Sequence, residues 1–462
     1  MLLSRSLRRT PFYHSPTAII MTTRQRSSSP ATTTTTTTTT TTPPDVAEST
    51  SQANVRAASA RQQQHHHDEH GRAAKRIRLD HHQPPVRTLP YHKGLHLAPM
   101  VRIGTLPTRL LGPCAALLCR ALTTADGARI PTALDYGAEL VWGPEIVDKA
   151  IIGSERVVDP KSGTIKFIKN NRSVFECHPV ERPRLIFQLG SSDPELAAQA
   201  AQMIAGDVDG IGLNCGCPKH FSLQAGMGAA LLSDPDKLCL ILEALVKEIP
   251  LPIDVKIRLF PTSEPTLALV KRLLNTGVKC LTVHCRTKEM RSTEPALLER
   301  LREIVELGRE KGVPVVENGD CYDAKDAERI TEQTGVTSCM IARGAEANPS
   351  CFRNEGLLDS VNEVIPRLLR LSLASDLNFQ NTRYIINSMT LTSETLSKRE
   401  KGAIKLASNK AKSYYEMAEA FGIDKEAVDE ARGMGIERLV PGWMERRKRI
   451  LEEELGEEAH LK

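Results

Sequence analysis

The residue of this chain with most chemistry to offer is a cysteine held between glycine and proline. It sits in Ile211-Gly-Leu-Asn-Cys-Gly-Cys-Pro218, which continues as Lys219-His220-Phe221 and Gly226-Met-Gly-Ala-Ala-Leu-Leu232. The apolar run ending at Asn214 reads as a buried strand, and Gly216-Cys217-Pro218 as the tight, rigid loop that follows it. Pro218 has no N–H and a fixed φ, so Cys217 is not expected inside a helix. The functional reading is a thiol delivered to a reaction site; the plainer one is a buried structural cysteine. Cys215, Cys217 and His220 have a metal-like spacing, but no second cluster completes four ligands and no metal site is expected.

Other reactive residues recur at similar places. Ala98-Pro-Met-Val101 is a backbone bend able to pack a flat apolar ring. Gln188 brings an amide that both donates and accepts. Lys256 lies within Val255-Lys-Ile-Arg258, His284 within Val283-His-Cys-Arg-Thr287, and two glycine turns follow as Asn318-Gly-Asp320 and Ala342-Arg-Gly-Ala345. Backbone N–H groups of such turns bind phosphate, and Arg343 adds a charge-assisted contact. Taken singly, Gln188 reads equally as a satisfied core amide, His284 as a buried imidazole and Lys256 as half of an ion pair. Together, a phosphate site, a cationic lysine and an amide suit a flavin mononucleotide. Gln188 would meet the pyrimidine edge of its ring, and Lys256 the N1/O2 side where charge develops on reduction.

The elements that must position these residues alternate. Short β-type runs occur at Leu95–Met100, Glu139–Trp142, Leu185–Leu189, Gly210–Asn214, Ile253–Ile257, Cys280–His284, Val313–Glu317 and Ser338–Ile341. Between them lie amphipathic segments at Pro194–Ala205, Lys237–Glu248, Thr266–Asn275, Leu297–Lys311 and Ala324–Thr334. Eight strands alternating with helices predict a parallel (β/α)8 TIM barrel over residues 91–355. Strands three to eight turn polar at their C-terminal ends, where this fold keeps its active site.

Residues 1–90 are expected to be disordered, because the Thr32–Thr42 run and the Gln62–His67 tract cannot build a core. They hold 12 Lys/Arg against 5 Asp/Glu, which leaves 49 against 51 for the rest. The folded part is thus nearly neutral, and a nucleic-acid surface on it must be a local patch. Met1–Arg26 has several Arg and Ser/Thr and no acidic residue, a composition like a mitochondrial presequence, with Met21 as a downstream start. Lys75-Arg-Ile-Arg78 reads as a weak nuclear-import patch. No apolar run is long enough to span a membrane, and 11 cysteines without paired C-x-x-C modules fit a reducing cytoplasmic or nuclear compartment. From residue 356 to 462 the chain reads as a helical domain. Its basic clusters are Lys398, Arg399, Lys401, Lys405, Lys410 and Lys412, then Arg446, Arg447, Lys448 and Arg449. They read either as a solvated helix face or as an RNA clamp.

A family resemblance is carried by Ala98-Pro-Met-Val-Arg-Ile-Gly-Thr-Leu-Pro107, Leu134-Asp-Tyr-Gly-Ala138, Asn214-Cys-Gly-Cys-Pro-Lys219, Gly226-Met-Gly-Ala-Ala-Leu-Leu-Ser-Asp-Pro235, His284-Cys-Arg-Thr-Lys288 and Asn318-Gly-Asp320. The chain resembles the tRNA-dihydrouridine synthases, most of all the eukaryotic tRNA-dihydrouridine(20) synthase branch. The resemblance implies an FMN barrel followed by a helical tRNA-binding domain, acting as a monomer. NADPH or NADH would reduce the flavin, hydride would pass to C6 of a D-loop uridine, and Cys217 would protonate C5. Reduction of a C5=C6 bond leaves carbanion character at C5, so a proton donor is needed there; a thiol with a pKa of about 8.5 is mostly protonated at neutral pH. The resemblance gives Pro99, Met100, Val101, Gln188, Lys256, His284, Asn318, Gly319, Asp320, Ala342, Arg343 and Gly344 to FMN, and Asn214 and Arg286 to the uridine. The base must leave its stack to reach such a site. A free-pyrimidine or enone reductase, and a non-catalytic RNA-binding protein, are the competing functions. The chain departs from the family at 112–132, where Pro113 and Pro131 should break the helix after Leu111; a gene-model artefact is the first explanation and a genuine insertion the second. It also shows no double-stranded-RNA-binding domain of the kind some animal relatives append.

Overall fold

Strands buried on both faces read as largely apolar runs, and the eight core strands do so except where polar residues such as Gln188, Asn214, Asp254, Lys256 and His284 enter the lumen. The computed structural model describes residues 88–111 and 136–440. The basic tail before residue 88, the segment 112–132 and the Arg446–Arg449 cluster lie outside the described residues. In chain order the strands are β1 (Gly94–Leu97), β2 (Ala138–Trp142), β3 (Ile146–Val147), β4 (Glu155–Val158), β5 (Ile165–Lys169), β6 (Arg172–Cys177) and β7 (Leu185–Gly190). They continue as β8 (Gly210–Cys215), β9 (Ile253–Leu259), β10 (Cys280–Thr287), β11 (Val315–Asn318) and β12 (Ser338–Ile341). Parallel pairing runs β2-β1-β12-β11-β10-β9-β8-β7, and β2 pairs with β7 to close the ring. The barrel has the eight strands expected, each within a few residues of its expected place.

The helices between them start and stop on local chemistry. Asp193 and Asp234 cap the helices Pro194–Ile204 and Pro235–Glu248, each with proline in the first turn where a missing N–H costs nothing. Asp323 caps Ala324–Thr334, which ends on left-handed Gly335.

Period-two alternation divides each strand between two environments. Leu97, Val141, Phe187, Leu213, Val255, Val283 and Ile341 pack outward under the helices. Leu140, Trp142, Ile186, Cys280, Val316 and Met340, with Tyr91, fill the lumen. Trp142 is fully buried there, and its Nε1 donates to Asp254 Oδ1 at 3.4 Å. Opposite it the wall must be thin: a Cβ on Gly212 would lie 2.8 Å from Asp254 Oδ2.

An antiparallel sheet, β4-β5-β6, interrupts the β/α alternation before β7. The alternation expected from the sequence does not include it. Its signal is Asn170-Asn171, both at positive φ, between the alternating runs Ile165–Lys169 and Arg172–Cys177. That is the two-residue loop that right-handed strand twist favours.

Beyond β12 the described chain is helical, with helices at Ile365–Ala374, Phe379–Ser388, Lys398–Lys410, Tyr414–Ala420 and Lys425–Gly433. Ile365–Ala374 buries Leu368, Leu369 and Leu371, and Arg102 from the barrel mouth lies 3.7 Å over the Tyr384 ring. Lys405 is spent internally. Its Nζ donates to the carbonyls of Asn387 (2.7 Å) and Met389 (3.2 Å), where Phe379–Ser388 ends. Lys401 likewise donates to Ser393 O at 3.2 Å. Lys398, Arg399, Lys410 and Lys412 remain exposed.

Candidate active site

Along β7 to β12, the next residue on the lumen-facing side toward the C-terminal end of each strand is one singled out in the sequence. Gln188 follows Ile186, Asn214 follows Gly212, Lys256 follows Asp254, His284 follows Thr282, Asn318 follows Val316 and Ala342 follows Met340. Parallel register brings them into one layer: Asn214 pairs with Lys256, and His284 with both Arg258 and Asn318. Pro99, Met100 and Val101 join at the end of β1, where Ala98 N donates to Ile341 O at 3.0 Å.

Cys217 lies in the loop after β8, half-buried and with a free thiol. Three contacts shape that loop. Asn214 Oδ1 accepts from Gly216 N at 3.0 Å, and Arg258 Nε donates to Gly216 O at 2.7 Å while its Nη1 donates to Thr287 O at 2.8 Å. The Gly226-Met-Gly228 turn closes over it from the other side, with Ala229 N donating to Cys217 O at 3.0 Å. Gly228 has φ +58, and a Cβ there would lie 2.6 Å from Cys217 O. Only glycine allows that approach. Cys215, by contrast, points into the outer core, so Cys215, Cys217 and His220 do not gather as ligands.

The glycine turns after β11 and β12 meet. A Cβ on Gly344 would lie 1.9 Å from Tyr322 O, so the two turns touch backbone to backbone. Asp320, held at φ +62, accepts from both Arg286 and Arg343, and its Oδ2 accepts from Ala296 N at 2.7 Å. Arg286 is buried and also donates to Glu294 O at 2.8 Å and to His284 Nε2 at 3.4 Å. Asn318 Nδ2 donates to Met340 O at 2.8 Å, which fixes the amide beside its turn.

The layer is cationic. Burial, with Arg258 close by, lowers Lys256 to about 7, and among the described residues no carboxylate pairs with its Nζ. Burial together with Lys256, Arg258, Arg286 and Arg343 pushes His284 far below its ordinary range, so the imidazole is neutral. Beneath them, burial raises Asp254 to about 8. An electron-rich or anionic ligand is what such a mouth would hold.

Two contributors were not singled out from sequence. Arg258 stands in the sequence only as the end of the Val255-Lys-Ile-Arg258 run. Glu145, just after β2, lies beside Asn214 and Cys217 and supplies a polar residue at the second strand end, where none had been named. The available signal was a carboxylate straight after Gly143-Pro144 at a strand end.

Comparison with known proteins identifies the family. The family model described as dihydrouridine synthase (Dus) matches residues 148–429. The chain is 47% identical over 350 residues to the tRNA-dihydrouridine(20) synthase (NAD(P)+) of Schizosaccharomyces pombe, covering 74% of this chain and 67% of that one. It is 41% identical over 278 residues to the Saccharomyces cerevisiae protein of the same description, covering 57% and 67%. To the tRNA-dihydrouridine(20a/20b) synthase (NAD(P)+) of S. pombe it is 30% identical over 331 residues, covering 70% and 88%. With its barrel, its cysteine loop and these matches taken together, the chain belongs to the dihydrouridine synthase family.

Proposed function

We propose that the chain reduces the C5=C6 bond of a D-loop uridine in tRNA, at position 20, and that Cys217 is the proton donor. The observation that carries this reading is a free thiol on a braced loop beside a cationic mouth rimmed by Gln188, Lys256 and His284. The residues fit a flavin mononucleotide. Among the described residues Lys256 has no carboxylate partner, and the glycine turns at Gly319–Asp320 and Arg343–Gly344, joined by the Arg343–Asp320 pair, would offer backbone N–H groups to the mononucleotide's phosphate.

Lys256 would face the N1/O2 side of the ring, Gln188 its pyrimidine edge, and Pro99, Met100 and Val101 its apolar face, with His284, Asn318 and Ala342 lining the same layer. When bound and reduced by NADPH or NADH, the flavin supplies hydride to the uridine. The chain's own residues do the rest. Asn214 and Arg286 would meet the edge of the base, and Arg286 also donates to neutral His284 at Nε2. Cys217 Sγ–H delivers its proton to C5 as charge develops there. The uridine must flip out of its stack to enter the mouth.

The test is dihydrouridine mapping in unmodified tRNA incubated with the protein, FMN and NADPH. Cys217→Ala should lower the rate by at least about 100-fold, the lower end of what a positioned acid contributes, while flavin absorbance stays bound. A Cys217→Ala protein that works at near wild-type rate refutes the donor assignment. A wild-type protein that reduces free uracil but not tRNA refutes the substrate.

A further inference from the structure

Among the polar groups at the mouth, one carboxyl has no part in the chemistry above. Glu145 is carried there by backbone pairing: Ile146 and Val147 form β3 against Leu189 and Gly190 of β7. Its Oε1 is buried without a hydrogen-bond partner among the described residues. Room for that oxygen exists because residue 190 is glycine; a Cβ there would lie 2.8 Å from Oε1. The polar side chains beside the carboxyl are the Asn214 amide and the Cys217 thiol, with Lys219 adding a positive charge.

The charges around Cys217 set a conflict. Lys219 sits on its own loop, and the Arg258 guanidinium from β9 grips the carbonyl of the preceding residue at 2.7 Å. Arg258 in turn faces Arg286 and Glu289. Cations next to a thiol favour the thiolate, the state that nucleophilic cysteines use. A proton donor needs the opposite.

We propose that Glu145 is a positioning residue that keeps the proton on Cys217, offsetting Arg258 and Lys219 and orienting the thiol together with Asn214. This rests on the reading of Cys217 as an acid. The ionised carboxylate opposes a second negative charge beside it; the protonated carboxyl leaves Asn214 and the thiol a neutral partner. Burial raises the Glu145 carboxyl, while Asn214, Cys217 and Lys219 act against that rise.

The experiment follows Cys217 alkylation by iodoacetamide against pH, locating the site by peptide mass, in the full chain without tRNA. Glu145→Gln should move the rise in alkylation to lower pH by about one unit, making Cys217 about tenfold more reactive on the rising limb. The alkaline limb of kcat/KM for tRNA reduction should move the same way. Gly190→Ala, which pushes only the end of the Glu145 side chain, should shift both in the same direction by less. Alkylation and activity profiles identical to wild type in Glu145→Gln overturn the proposal. If that variant fails to fold, an unshifted Gly190→Ala profile overturns it instead. A wild-type chain inactive on tRNA refutes the functional reading, while the alkylation shift still decides the role of Glu145.

Discussion

Substituting Gly228 by alanine tests how tightly the cysteine loop must be held. The new Cβ would sit 2.6 Å from Cys217 O and 3.0 Å from Cys217 Cβ, on a backbone at φ +58. An L-residue in that left-handed region costs about 1–2 kcal/mol before any clash. Relieving the contact to ordinary van der Waals distance, about 3.5 Å, requires the Cys217 carbonyl to move by roughly 0.9 Å. The thiol rides on the same residue, and a displacement of about 1 Å at a reacting group costs on the order of 100-fold in rate. Dihydrouridine formation should therefore fall by about two orders of magnitude while the melting temperature drops by only a few degrees. Gly402→Ala is the control, because it lies within the helix Lys398–Lys410 with nothing within 4 Å of a Cβ. It should raise stability by about 0.5–1 kcal/mol with activity unchanged. A Gly228→Ala protein active to within about threefold of wild type would show that the turn does not position Cys217, and the argument from close approach would fail.

Asp254 predicts a pH-dependent stability. Its folded pKa is raised to about 8 from 3.8, so between those values the folded state holds a proton that the unfolded state has lost. Wild-type stability then falls as pH rises through this window, and the advantage of Asp254→Asn should grow by up to about 1.4 kcal/mol per pH unit. Urea melts of both proteins at pH 5 and pH 8 measure it; a constant gap refutes the raised carboxyl. For tRNA affinity, replacing Lys398, Arg399, Lys410 and Lys412 together by glutamine should weaken binding and flatten its salt dependence, as fluorescence anisotropy across a salt series reports. Lys405→Met should instead lower the melting temperature, because its Nζ holds two helix-end carbonyls; a flattened salt slope from that variant alone would reverse the assignment.

Much of the barrel was legible because its signals are local. A strand buried on both faces is largely apolar, and a helix needs a cap, so β7 to β10 and the helices capped by Asp193 and Asp234 could be read from neighbours in sequence. The small β4-β5-β6 sheet was not read, since its strands are half-exposed and charged and its Asn170-Asn171 turn was passed over. The basic helix was legible as a charge cluster, but which lysines face solvent was not. Lys405 and Lys410 look alike in sequence, yet Lys405 reaches the end of a helix some 18 residues away.

For the site, residue types alone identified what could react: Cys217 before a proline, Lys256 and His284 at strand ends, glycine turns able to take phosphate. Those are properties of single side chains and of backbone freedom, and they survive without a fold. The tertiary structure decided which groups share a space. Register placed Asn214 beside Lys256, the touching turns joined Asp320 to Arg343, and ring closure between β2 and β7 brought Glu145 to a thiol 72 residues away in sequence. Charge balance depends on distances between residues remote in the chain, so the charges that surround Cys217 are set only by the folded barrel.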